Sequence, residues 1–242
     1  YLSIPHVMKT TLNETDLSTA TAISPIDGRY SKKTKELSQY FSEMALMRFR
    51  LLVSVEWIIF LSVQVKVIRV MTQMERHNLR QLYRNFTLAE FEKIKECEAI
   101  TNHDVNAVVR FLQDVLKEST MADLVEFVHF GLTSEDINNT AFAFMLSGGV
   151  KCLWSQLFRV HRKIIDIEFD NVETPMLAHT HGQPASPTTL AWELRVYSGR
   201  LQKGIAELSK AELSIKFGGA TGGHNALNVA WPAINWRWCS EK

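Results

Sequence analysis

Five short segments collect the side chains that proton transfer and anion binding need. The first is His179-Thr180-His181-Gly182-Gln183-Pro184-Ala185. A histidine in a tight Gly/Pro loop ahead of a long helix has a rigidly held ring that titrates near neutrality. That suits acid–base work, the plain alternative being a structural loop histidine. An H-x-H pair can also ligate a metal. No H-E-x-x-H pattern or acidic partner accompanies this one, so no metal is expected here. The second segment, Thr101-Asn102-His103-Asp104, sits just ahead of a helical stripe that begins at Val105. Free N–H groups and polar side chains at a helix start make an anion site, or no more than a helix cap.

The third segment runs from His129 to Asn139. Thr133 or Ser134 can cap the helix that follows, and Glu135 and Asp136 fall in its first turn, as the helix dipole prefers. Hydroxyls and free N–H groups there could hold a carboxylate. His129 lies among Phe127, Val128 and Phe130 and reads as a satisfied core residue. The fourth, Gly218-Gly219-Ala220-Thr221-Gly222-Gly223-His224-Asn225-Ala226, does not match G-x-G-x-x-G and follows no convincing strand, so it is not read as a dinucleotide site. Its small residues allow a backbone to approach a ligand or another helix closely. The fifth, Ser24-Pro25-Ile26-Asp27-Gly28-Arg29-Tyr30, contains an Asp-Gly turn and then a planar cation beside a phenol, which suits a phosphate.

These residues need a scaffold, and the pattern predicts a helical one. Leu37, Tyr40, Phe41, Met44 and Met47 recur at helical spacing, as do Val105, Val108, Val109, Leu112 and Leu116. A third stripe runs from Val150 through Trp154, Leu157 and His161 to Ile165. A fourth joins Leu190, Leu194, Tyr197, Leu201, Ile205 and Leu208, the spacing of a long helix in a bundle. Gly148–Gly149 is expected to separate two helical stretches. Pro184 and Pro187 mark a loop, with Ser186 as N-cap and Pro187 as first helical residue. One stretch disagrees: Leu61, Val63, Val65 and Val67 alternate with Ser62, Gln64 and Lys66, which predicts a short strand.

Composition narrows the possible functions. The 242 residues are 46% hydrophobic and 22% charged, which excludes disorder and rods. Lys plus Arg total 27 against 26 Asp plus Glu, so no bulk charge points to nucleic acid or an acidic membrane. The most apolar stretch, 51–71, is interrupted by Glu56, Lys66 and Arg69, whereas a membrane span wants about 20 residues with few or no charges. Cys97, Cys152 and Cys239 form no C-x-x-C, which fits a reducing compartment. Residues 1–20 carry no basic run followed by an apolar one, so no secretory signal is expected. The chain begins at Tyr1, not Met, and reads as a fragment or processed product; a cytoplasmic location is expected, with an organelle-targeting segment upstream of Tyr1 left open as the alternative.

Taken together and in this order, SPIDGRY, TNHDV, FVHFGLTSEDINN, THGQPASP and GGATGGHNA resemble the adenylosuccinate lyases of the fumarase/aspartase superfamily. THGQPA and TSEDINN are the discriminating segments. The resemblance implies an all-α fold: an irregular arm over 1–20, a small N-terminal helical domain over 21–120, and the first part of a truncated central helical bundle over 121–242. It implies a homotetramer with active sites shared between subunits, a small nucleotide substrate, no cofactor, and no nucleic-acid or membrane partner. The implied reaction is elimination of fumarate from adenylosuccinate to give AMP, and from a succinylated aminoimidazole carboxamide ribotide. His181 matches the general acid. His103 matches a second catalytic histidine that also binds substrate with Asp104 and Val105. Arg29 and Tyr30 match phosphate ligands, Thr133 and Ser134 match hydroxyls on substrate carboxylates, and Gln183 orients substrate. The loop that carries the serine base in such enzymes, rich in Ser, Met, Pro, Lys and Asn, has no counterpart here. The resemblance therefore leaves open an inactive, truncated homologue, at most a nucleotide-binding or tetramer-joining fragment. Thr221, Gly223-His224 and His179 also depart from the family pattern, and residues 58–85 match it poorly.

Overall fold

A computed structural model describes residues 22–240 of the chain. Contacts divide the chain into one unit of residues 1–39 and another of residues 40–242. The arm expected over 1–20 lies outside the described residues. In the first unit, residues 24–30 wind through turns closed by Gly28 N–H on Ser24 O (2.9 Å) and Tyr30 N–H on Pro25 O (2.8 Å). They lead into α1 (Ser31–Phe41). The hydroxyl of Thr34 donates to Ile26 O at 3.0 Å and ties the turn to the helix.

The second unit is built around α2 (Glu43–Phe60), capped by Ser42, whose hydroxyl accepts from Ala45 N–H at 3.1 Å. Met47, Leu51, Val55 and Ile58 of α2 are almost wholly buried. A helix apolar on most sides belongs at the centre of a packed unit. Around it lie α3 (Gln73–Arg84), α4 (Leu88–Thr101) and α5 (Asp104–Lys117), which bring Leu79, Ile94, Leu112 and Leu116 into the same core. A 3₁₀ turn over Ala122–Phe127 adds Leu124 and Val125. Truncating any of these side chains to Ala would cost about 2–5 kcal/mol.

Beyond this core runs α6 (Ser134–Asp170), 37 residues long, then a hairpin of β1 (Pro175–Thr180) and β2 (Gln183–Thr189), and α7 (Leu190–Ser209), which packs back along α6. Two short helices, α8 (Asn225–Ala230) and α9 (Trp236–Ser240), follow the glycine-rich segment. Trp236 and Phe217 pack on Trp57 of α2, and Trp231 packs on Phe130 at 5.0 Å, so aromatic contacts bind this last segment to the core. The fold class holds: the molecule is helical, with one small sheet among the described residues. None of the described helices is long and apolar enough to cross a membrane.

Three local expectations are overturned. Residues Leu61–Val65 are not a strand but a π-helical continuation of α2, ended by Lys66 in the left-handed region. No neighbouring strand offers partners there, so the backbone groups are satisfied by extending the helix (Val67 N–H reaches Leu61 O at 3.2 Å). Gly148–Gly149 does not interrupt α6. A Cβ on Gly148 would stand 2.3 Å from the Tyr40 ring, and one on Gly149 would stand 2.2 Å from the Phe41 ring, so these glycines serve close helix approach. Ser186 and Pro187 do not open α7 but lie in β2; the helix starts at Leu190, capped by Thr189, whose hydroxyl accepts from Trp192 N–H at 3.2 Å. Proline is tolerated there because each strand of a two-stranded sheet is an edge.

Candidate active site

The residue that joins two of the chemistry-bearing segments is Arg50, on the buried face of α2 and only 4% exposed. Its Nη2 donates to Asp104 Oδ2 at 2.6 Å, and its Nε donates to Asn138 Oδ1 at 2.9 Å. Asp104 opens α5 and Asn138 belongs to the second turn of α6, so one guanidinium ties both helix starts together. Its rigid fork of donors is what allows two acceptors to be held at once. Burial alone would raise the Asp104 pKa, but the Val105 N–H and the Arg50 charge outweigh it and hold the carboxyl below its ordinary value.

His103 is the N-cap of α5. Its Nδ1 accepts from Asn106 N–H at 3.3 Å, so the neutral ring carries its proton on Nε2. Just before it, Asn102 takes the left-handed region and closes α4 with a bond to Glu98 O at 2.7 Å, turning the chain between the two helices. Half of the His103 side chain remains exposed. Val105, by contrast, is 1% exposed, and its N–H donates to Asp104 Oδ1 at 2.8 Å.

Facing this is the start of α6, with Thr133 as N-cap and Ser134 as first helical residue. Asp136, one turn on, is fully buried and accepts from Thr133 N–H at 2.9 Å. Desolvation pushes its pKa up, but that donor, the Lys216 ammonium and the N–H groups of Gly218 and Gly219 together hold it below the normal carboxylate range. His129 sits within electrostatic reach of both Asp136 and His103. Its Nδ1 is buried and has no hydrogen-bond partner among the described residues. Burial lowers its pKa, the Asp136 charge opposes that and His103 adds to it, so the ring is held neutral. The expectation of a satisfied core histidine is therefore corrected: this half-buried ring has an unpartnered nitrogen among the described residues. Sequence alone gave no sign of this, nor of Arg50, which hides in an apolar helix.

His181 and Gln183 are elsewhere. His181 lies in the two-residue turn of the hairpin and Gln183 opens β2 beside it: Thr180 pairs with Gln183, and both His181 (φ +53°) and Gly182 (φ +73°) are left-handed. That is a type I′ turn, and Thr-His-Gly-Gln supplies the glycine it requires. His181 is fully presented to solvent. The hairpin follows the far end of α6, so the 37 residues of that helix, about 55 Å, separate its start from the end that leads to His181. Within one chain, His181 does not meet the His103–Thr133 cluster. Arg29 and Tyr30 lie in the first unit, with the Arg29 guanidinium 5.6 Å and the Lys33 ammonium 5.9 Å from the Tyr30 ring centre. Among the described residues no group of three or more His, Cys, Asp or Glu side chains is placed to hold a metal, His179 and His181 included.

Comparison with known proteins adds the context. The lyase family matches residues 28–238. The chain is 43% identical to an adenylosuccinate lyase of Dictyostelium discoideum over 97% of its own length and 52% of that protein's. It is 40% identical to one of Legionella pneumophila, covering 91% of the chain and 49% of the relative, and 36% identical to that of Escherichia coli, covering 94% and 51%. The chain thus spans about half the length of the curated relatives it matches. Among solved structures, a β-carboxy-cis,cis-muconate cycloisomerase of Acinetobacter calcoaceticus superposes over 80% of the chain and 44% of its own, with a TM-score of 0.66 at 20% identity. A fumarate lyase of Mesorhizobium superposes over 81% and 46%, with a TM-score of 0.64 at 19% identity. At those identities the likeness is one of fold.

Proposed function

Because the chain belongs to the lyase family and is 36–43% identical to adenylosuccinate lyases, we propose that it supplies part of an active site that eliminates fumarate from adenylosuccinate to give AMP. The same site would release fumarate from the succinylated aminoimidazole carboxamide ribotide of purine synthesis. The observation that carries this reading is the junction at Arg50. It brings the His103–Asp104 helix start and the Thr133–Ser134 helix start side by side, with half-buried His129 in electrostatic reach of Asp136 and His103.

The chemistry asks for these parts. Removing the proton beside a carboxylate builds negative charge on that carboxylate in the transition state. Hydroxyls and N–H groups at the start of α6 are aimed at such charge, and their placement before the reaction is what makes them effective. The carbon–nitrogen bond then breaks, its electron pair leaves with nitrogen, and an acid protonates the departing amine. His181 fits that role, since it is a histidine on a two-residue turn with both central residues fixed in the left-handed region. Arg29 and Tyr30 would hold the phosphate, and Gln183 would orient the substrate beside the acid. No cofactor is needed for this elimination.

The separation of His181 from the His103 cluster along α6 supports a site assembled from several copies, as in a homotetramer. His181 of one subunit would then serve the helix starts of another. The test is complementation. The chain would be mixed with a full-length adenylosuccinate lyase whose own THGQ-type histidine is replaced by glutamine, and adenylosuccinate cleavage followed by absorbance. Each alone is expected to be silent, the chain because no segment of it supplies the base. The mixture should turn over, and His181→Gln in the chain should remove the activity. Silence of a mixture in which the two proteins demonstrably co-assemble would reject the assignment.

A further inference from the structure

The glycine-rich segment has no part in the account so far, yet it is bound to the start of α6 more tightly than any other loop of the site. We propose that Asp136 is a positioning residue for the substrate turn Thr133–Ser134, which it holds by clamping the loop of residues 218–223 against that turn. This rests on reading Thr133 and Ser134 as hydroxyls that take a substrate carboxylate.

Asp136 is 0% exposed and fully used. Its Oδ1 accepts from Lys216 Nζ (2.9 Å) and Gly218 N–H (3.0 Å), and its Oδ2 accepts from Thr133 N–H (2.9 Å) and Gly219 N–H (3.0 Å). One oxygen thus bridges the substrate turn to the loop, while the other takes two donors from the loop segment alone. Asn139, on the same face of α6, pins the backbone of Lys216 from both sides, accepting its N–H at 2.8 Å and donating to its C=O at 2.9 Å. Lys216 Nζ also donates to Gly219 O, closing the loop on itself.

Packing of the loop against the turn is tightest at Gly131. Gly131, two residues before the cap, has φ +75°, and a Cβ there would stand 2.3 Å from the side chain of Leu227, just beyond the loop. Gly219, at φ +78°, would place a Cβ 3.6 Å from Gly131 O. A backbone this close to the turn forms its wall, and small residues are what permit the approach. The carboxylate is the required group at position 136 because all four neighbours are donors. An asparagine would accept on one oxygen only and turn an NH₂ toward the donors on the other. The wall or the turn would then move.

The test uses the whole chain and fumarate as probe. Amide hydrogen exchange and a fumarate titration, read through the Ser134 amide in ¹H–¹⁵N spectra, would be compared for wild type, Asp136→Asn and Thr133→Val. Asp136→Asn is expected to speed exchange at least tenfold at 133–136 and 218–219, to leave residues 51–58 of α2 unchanged, and to weaken fumarate at least tenfold. Unchanged local exchange and affinity would overturn the proposal. If Asp136→Asn instead loosens α2 as well, Lys216→Met decides, since it keeps the carboxylate and removes one donor: loosening confined to 133–136 and 218–219, with weaker fumarate, supports positioning, and a uniform change or none overturns it. Should Thr133→Val bind fumarate like wild type, the carboxylate reading of the turn fails, and the clamp is still decided by the exchange data.

Discussion

Arg50 shows how much a single side chain can decide in this molecule. It is buried, yet it has two polar partners on different helices, so its desolvation is offset by charge-assisted hydrogen bonds. Arg50→Met would leave Asn138 Oδ1 and Asp104 without their donor at the junction of α5 and α6. The expected loss is about 2–4 kcal/mol in urea unfolding. Arg50→Lys should recover only part of it, because an ammonium cannot span both acceptors as the guanidinium does. A variant with wild-type unfolding midpoint would show that the junction is held by packing alone. Residues of this kind are hard to read in a sequence. His103, Thr133 and Asp136 announce themselves by lying at helix starts among other polar residues. Arg50 and His129 lie inside apolar runs, and only the tertiary arrangement shows what faces them.

At the scale of elements, legibility followed the range of the forces involved. Stripes such as Val105–Leu116 became helices because burial of one face is encoded every three to four residues. The alternation over 61–67 misled because a strand needs a partner and a helix does not. The hairpin was missed for the opposite reason: its signal is the left-handed pair at His181–Gly182, hidden between prolines that read as a loop. Helix starts vary in legibility: α5 and α6 open where polar clusters predict, α7 opens at Leu190 and not at Pro187, and α3 opens on a capping box that the stripes do not point to. Thr72 N–H and hydroxyl both donate to Glu75 Oε2, at 2.8 and 3.0 Å, while Arg69 donates to both Glu75 oxygens and the Thr120 hydroxyl to Oε1. The Arg69 bonds come first in holding the Glu75 carboxyl at about 2; burial opposes them, and Thr72 and Thr120 add to them. Since this pKa is depressed from 4.5, its contribution is complete above pH 4.5 and is lost as pH falls toward 2. Glu75→Gln should therefore cost roughly 2 kcal/mol at pH 7 and progressively less below pH 4.5, the two unfolding curves converging near pH 2. A gap independent of pH would mean that shape, not charge, holds the loop before α3.

The whole molecule has an apolar surface that its own core does not cover. The stripe from Leu190 to Leu208 is partly buried against α6, so the larger exposed surface lies on α6 itself and on the flank of α7. Trp154 and Phe158 stack at 5.3 Å and are 37% and 46% exposed, Phe169 is 81% exposed, and Trp192 and Tyr197 are 66% and 61% exposed. A band of exposed aromatic and branched side chains recurs along this long helix pair, more than single scattered apolar residues would give. It also runs along the same helix that carries the Thr133–Ser134 turn at one end and the His181 hairpin beyond the other. Association through this band is what would bring one copy's hairpin to another copy's helix starts. Sedimentation is therefore expected to give a mass above 27.7 kDa at micromolar concentration. Trp154→Glu combined with Phe158→Glu should shift the chain toward 27.7 kDa with its helical circular dichroism preserved, because both side chains are already exposed and the core does not depend on them. The same double variant should fail to complement a histidine-disabled lyase, although every residue assigned to the chemistry is intact. A wild-type chain that sediments as a monomer across that range would show that this band does not by itself join copies of the chain.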